Sequence, residues 1–161
     1  MTKKMNLPIT SVKLDSSIKK ELSDLIDTGW LVQGPKVKEF EDLWCQFTGA
    51  KHSIAVTSCT TAMHASLAAM DIGVGDEVIV PAFTWIATAN VVEHVGAKVV
   101  FCDIDINTFN IDTSKLEQLI TENTKAIIPV HLFGLSCEIQ EIINIANKYN
   151  LKVIEDSACG F

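Results

Sequence analysis

Lys152-Val153-Ile154-Glu155-Asp156-Ser157-Ala158-Cys159-Gly160-Phe161 closes the chain, and its reading decides the fold. Two β-branched residues lead into two carboxylates and then into small residues. That is the pattern of a buried strand whose C-terminal end opens into a site. Ligands of open α/β sheets bind at such ends. An acid placed there can face a ligand while the sheet holds its backbone. On this stretch alone, a plain turn cap is the commoner role for Asp156.

Upstream, the same period recurs. Residues 53–56, 77–81, 98–104, 125–131 and 152–156 read as strands, and 60–70, 85–95, 113–120 and 138–149 read as the helices between them. This alternation predicts βαβ units on a mostly parallel sheet, an α/β three-layer fold. Val78-Ile79-Val80 and the apolar run 126–130 fit strands covered on both faces. Residues 14–26 and 37–47 read as two amphipathic helices, parted by Gly29 and Gly34-Pro35, with Gly49 ending the second. Residues 1–11 are polar and read as loose. The expected division is a helical segment over 1–48 and the N-terminal part of a larger domain over 49–161. The repeat stops on a strand, which predicts that the chain is a fragment.

Composition narrows the function. The 161 residues are 48% hydrophobic with a net charge of −7, enough for a core and the wrong sign for a nucleic-acid partner. All 13 basic residues are lysines, so no arginine fork is available for a phosphate or carboxylate. The five cysteines include no Cys-x-x-Cys pair, and no apolar run approaches membrane-spanning length. Free thiols in a cytoplasmic setting are expected. The four histidines lack zinc-ligand spacing, so no metal is expected.

Chemistry-bearing residues recur at predicted strand ends. Thr57-Ser58-Cys59-Thr60-Thr61 precedes an Ala-rich helix. It reads either as a plain Ser/Thr cap or as an anion cradle of N–H groups at the positive end of the helix dipole. Gly73-Val74-Gly75 precedes a strand and reads as a turn. Pro81-Ala82-Phe83-Thr84-Trp85 ends on an indole that could lie against a flat ligand or pack in the core, the commoner fate. His131 could touch a ligand or serve as a satisfied structural histidine. Asp156 supplies an acid. Cradle, indole, imidazole and acid would face one crevice. A ligand with a phosphate, an aromatic ring and a basic ring nitrogen would engage them all. Pyridoxal 5′-phosphate has these parts, and a carboxylate at its pyridine nitrogen keeps that nitrogen protonated.

The motifs that carry a resemblance are Gly34-Pro35 with Phe40-Glu41; Ser58-Cys59-Thr60-Thr61-Ala62-Met63-His64; Pro81-Ala82-Phe83-Thr84-Trp85 with Thr88-Ala89-Asn90; Pro129-Val130-His131-Leu132-Phe133-Gly134; and Glu155-Asp156-Ser157-Ala158. In this order they resemble the N-terminal part of the DegT/DnrJ/EryC1/StrS family of pyridoxal-phosphate sugar aminotransferases, from about residue 18 onward. The resemblance implies the large domain of fold-type-I enzymes. It implies that Ser58, Cys59 and Thr60 cradle the cofactor phosphate, that Trp85 stacks on the ring, that Asp156 pairs with the pyridine nitrogen and that Cys159 lies near the ring. His131 is a substrate-side candidate. The family usually has Gly at the position of Cys59 and Gln or His at that of Cys159.

The lysine that holds the cofactor as a Schiff base would lie beyond Asp156; Lys152 precedes the last strand, at its opposite end. The implied function is transfer of an amino group, from a donor such as glutamate, to a nucleotide-linked keto sugar in polysaccharide or secondary-metabolite synthesis. The implied assembly is a homodimer, and the fragment alone is expected to be inactive. The alternatives are a dehydratase of the same family, with His for the Schiff-base Lys, and a non-catalytic ligand-binding relative.

Overall fold

The computed structural model describes residues 12–160; the reading of residues 1–11 as loose lies outside them. The described residues fall into two compact units that part between Ala55 and Val56.

The first unit carries α1 (Ser17–Asp27) and α2 (Pro35–Thr48). Pro35 starts α2, where its missing N–H costs nothing. Gly49 ends it in the left-handed region at φ 75°, as the sequence predicts. The Trp30 indole N–H donates to the Gln33 carbonyl at 3.1 Å. None of the described residues up to Ala55 is buried. The strand expected over 53–56 is not formed: no residue there joins a ladder. A strand exists only through a paired neighbour, and the apolar pattern alone supplies none.

The second unit holds a parallel sheet of four strands in the order β2-β1-β3-β4. Its elements run α3 (Cys59–Ala69), β1 (Glu77–Pro81), α4 (Ala87–His94), β2 (Lys98–Cys102), β3 (Thr124–Ile127), α5 (Ile139–Tyr149) and β4 (Lys152–Val153). β1 is central and buried at all five positions, which explains its unbroken apolar run. Its side chains alternate between two cores. Val78 and Val80 pack with Met63, Leu67, Val91 and Val92 of α3 and α4. Ile79 packs with Ile127, Ile142 and Ala146 on the α5 side. Helices therefore cover both faces of the sheet.

Further expectations differ from the structure: β2, expected over 98–104, ends at Cys102. Residues 113–120 form two 3₁₀ turns, Thr113–Lys115 and Glu117–Leu119, and no α-helix. Asp112 accepts the Ser114 N–H as a cap, but a segment this short adds too few hydrogen bonds to offset helix nucleation, and Leu116 alone in it is fully buried. The strand expected over 125–131 ends at Ile127, because Pro129 has no N–H to donate to the ladder. Beyond it a single parallel bridge joins Val130 to Asp156. Likewise β4 is two residues long, and Asp156 is held by that bridge rather than by a continuous strand.

Candidate functional site

The bridge fixes the acid. Asp156 donates its N–H to the Pro129 carbonyl at 2.9 Å, and its own carbonyl accepts the His131 N–H at 3.0 Å. The backbone of Asp156 is thus clamped beside the end of β3, and its side chain is 3% exposed.

Two helix starts converge on that carboxylate. The Cys59 thiol, at the first residue of α3, donates to Asp156 Oδ1 at 3.4 Å. The Thr88 hydroxyl, in the first turn of α4, donates to Oδ2 at 2.9 Å. The Ala158 N–H adds a bond to Oδ1 at 3.1 Å. Burial, then the charge of Asp156 and its hydrogen bond, push the Cys59 thiol up to about 11, so it stays protonated and acts as donor. Every one of these donors is neutral. Among the described residues no cation pairs with this buried acid, an arrangement that is costly unless a positive group completes it.

The α3 start reads both ways. Ser58 caps the helix, accepting the Thr61 N–H at 3.1 Å, and its hydroxyl lies 3.0 Å from that of Thr61. A helix leaves its first N–H groups without intrahelical acceptors. The backbone of Cys59 and Thr60 therefore still faces the entry of α3 with donors and the positive end of the dipole. The α4 start carries Trp85, whose carbonyl accepts the Thr88 N–H at 3.1 Å and whose side chain is 78% exposed. The indole is free of the core, contrary to the commoner fate of such a Trp.

His131 is buried and fully engaged. Its Nδ1 accepts the Cys137 N–H at 3.1 Å, so in this geometry Nε2 carries the proton and donates to Glu155 at 2.9 Å. Both ring nitrogens thus have partners within the chain. Cys159 is exposed. The structure thus brings Cys59 and Asp156 into contact, puts the His131 backbone beside Asp156, and leaves Trp85 and Cys159 open. Sequence reasoning missed Thr88 as a site residue. The available signal was a hydroxyl on the inner face of α4, four residues after Thr84. No cluster of His, Cys, Asp and Glu among the described residues could hold a metal ion, and no described helix is long and apolar enough to cross a membrane.

Comparison with known proteins shows the family and the fold. The sequence pattern of the DegT/DnrJ/EryC1/StrS aminotransferase family matches residues 12–161. The chain is 48% identical to the spore coat polysaccharide biosynthesis protein SpsC of Bacillus subtilis, over 86% of this chain and 36% of that protein. It is 46% identical to the GDP-perosamine synthase of Caulobacter vibrioides, over 94% of this chain and 41% of that one. Among solved structures, Spr1654 of Streptococcus pneumoniae superposes in both its PLP and PMP forms at a TM-score of 0.89 and 34% identity, over 96% of this chain and 43% of that one. The chain thus spans about two fifths of the length of these relatives. Enzymes of this family and fold carry pyridoxal phosphate or its pyridoxamine form.

Proposed function

Because the chain belongs to the DegT/DnrJ/EryC1/StrS aminotransferase family, we propose that the protein moves an amino group from a donor such as glutamate to the keto group of a nucleotide-linked sugar. One observation carries the reading: a buried carboxylate whose described partners are all neutral. Protonated pyridine is the cation it lacks. Two relatives are named for GDP-perosamine synthesis and for spore coat polysaccharide biosynthesis, which supports a sugar nucleotide as acceptor.

The residues present fit pyridoxal 5′-phosphate. The N–H groups of Cys59 and Thr60, with the hydroxyls beside them, would hold the phosphate at the positive end of the α3 dipole, with no arginine fork. Trp85 would cover one face of the ring and exclude water. Asp156 would keep the proton on the ring nitrogen, with Cys59, Thr88 and the Ala158 N–H fixing its orientation. When bound, the cofactor supplies an electron sink for the carbon that gains or loses the amino group. Cys159, exposed beside this end of the sheet, is read as a neighbour of the ring, and His131 as support for the wall on the substrate side. Lys152 opens β4 at the far end of the strand, so it is no substitute for the Schiff-base lysine. The 161 residues alone are read as unable to turn substrate over. A cytoplasmic homodimer is the proposed working form; the five free thiols and the uncovered apolar residues of the first unit favour it.

The test uses the complete protein. Wild type should take up pyridoxal phosphate with a visible absorption band that borohydride fixes, and should form 2-oxoglutarate from glutamate beyond one equivalent per site only when a keto sugar nucleotide is present. Asp156→Ala should lower that rate by roughly a hundredfold or more, since the acid governs the protonation state of the ring. Loss of the sugar substrate without 2-oxoglutarate would replace transamination with dehydration.

A further inference from the structure

The hydroxyl chain behind Asp156 has a direction. Thr88 is fully buried and spends its single proton on Asp156 Oδ2 at 2.9 Å, since a carboxylate only accepts. The Thr84 hydroxyl lies 3.0 Å from that of Thr88. With the Thr88 proton committed, Thr84 must be the donor. The bonds therefore run from Thr84 to Thr88 to Asp156, and both threonines flank Trp85 on the same turn.

The two carboxylate oxygens are unequally used. Oδ1 receives two donors, the Cys59 thiol and the Ala158 N–H. Oδ2 receives one, from Thr88, among the described residues. Each oxygen accepts about two hydrogen bonds, so Oδ2 keeps the open acceptor position. Resting on the reading above, we propose that Thr88 is the positioning residue of the site. Its hydroxyl, polarised by Thr84, locks the carboxylate so that Oδ2 presents its remaining lone pair to the ring nitrogen of the cofactor. The same turn then sets the indole of Trp85 and the acid in one register. A thiol is a weak donor, so Cys59 contributes less to this alignment than Thr88.

The experiment uses the complete protein with pyridoxal phosphate labelled with ¹⁵N in the ring. Thr88→Val keeps the volume and removes the donor. It should weaken cofactor binding roughly tenfold or more, the effect of losing one hydrogen bond to a charged group. It should also move the ring ¹⁵N resonance toward that of unprotonated pyridine. Thr88→Ser should restore both readouts, and Cys59→Ala, which keeps the backbone N–H of the cradle, should move the ring resonance less than Thr88→Val does, because S–H is the weaker donor.

Wild-type affinity and resonance in Thr88→Val would overturn the positioning role, as would a larger effect from Cys59→Ala. Should Thr88→Val melt far below wild type without cofactor, Thr84→Val decides, because Thr84 is only partly buried. A resonance shift of the same sign supports the chain of hydroxyls, and none refutes it. If wild type itself takes up no pyridoxal phosphate, the functional reading falls; uptake by wild type with an indifferent Thr88→Val removes only this inference.

Discussion

Cys59, Cys102 and Cys137 are thiols held in their protonated form by the protein around them. For each, burial is the first cause, and each is pushed up to about 11. Cys102 and Cys137 lie in the core or at its edge, where the Cys137 thiol also donates to the Val130 carbonyl at 3.0 Å. Unfolding would return them to an ordinary thiol value near 9. Between about pH 9 and 11 the folded chain therefore binds more protons than the unfolded one, so stability falls as pH rises through that window. Each of the two buried thiols contributes of order 2 kcal/mol to that loss. Urea midpoints measured from pH 8 to 11 should decline, and Cys102→Ala should flatten the decline; an equal slope in the variant would exclude the thiol as its source. The same burial predicts alkylation order: at neutral pH iodoacetamide should label exposed Cys159 well before Cys59, as peptide mass mapping would show. Nothing in the sequence announces the Cys59 contact, because it spans 97 residues and depends on the helix start meeting the strand end.

Helix α3 shows how far a local signal carries at the level of the element. Ser58 is legible as a cap, and the structure keeps it as one. Ser58→Ala should cost about 1 kcal/mol, read as a lowered denaturant midpoint. Thr61→Ala, which keeps the capped N–H, should cost less; the reverse order would mean that the Thr57, Ser58 and Thr61 hydroxyl cluster, not the cap, holds the turn. β1 is legible because all five residues are buried between layers and the pattern has one reading. The segment over 113–120 is not. Its apolar residues sit at helical spacing, but only Leu116 is fully buried while Leu119 and Ile120 pack at the core's edge, and tertiary packing rather than spacing decides whether so short a helix survives. The end of β3 is not legible either, for a different reason. The apolar run continues past Pro129, yet a ladder needs donors as well as apolar side chains. Thr88 is not legible as a site residue because its partner lies 68 residues away, and a buried hydroxyl looks like any threonine until that partner is known.

Across the whole molecule, burial is distributed unevenly. The second unit fills two cores on opposite faces of its sheet. In the first unit no described residue is buried, although Leu22, Ile26, Trp30, Leu31, Phe40, Leu43 and Phe47 are large and apolar. Burying one such side chain is worth about 1.5–3 kcal/mol, and α1 and α2 forgo most of it. Two helices of 11 and 14 residues are also marginal by themselves in water. Their local opening free energy must then lie well below that of the sheet. Hydrogen exchange of the 161-residue chain should show amides of α1 and α2 exchanging at least about a hundredfold faster than those of β1 and α4, the ratio expected for an opening-energy gap near 3 kcal/mol. In the complete protein, where the proposed dimer would cover those apolar residues, protection of α1 and α2 should rise while that of β1 changes little. Equal protection of α1 and β1 in the 161-residue chain would show that the first unit is stabilised by something other than buried apolar surface, and the case for a covering partner would fail with it.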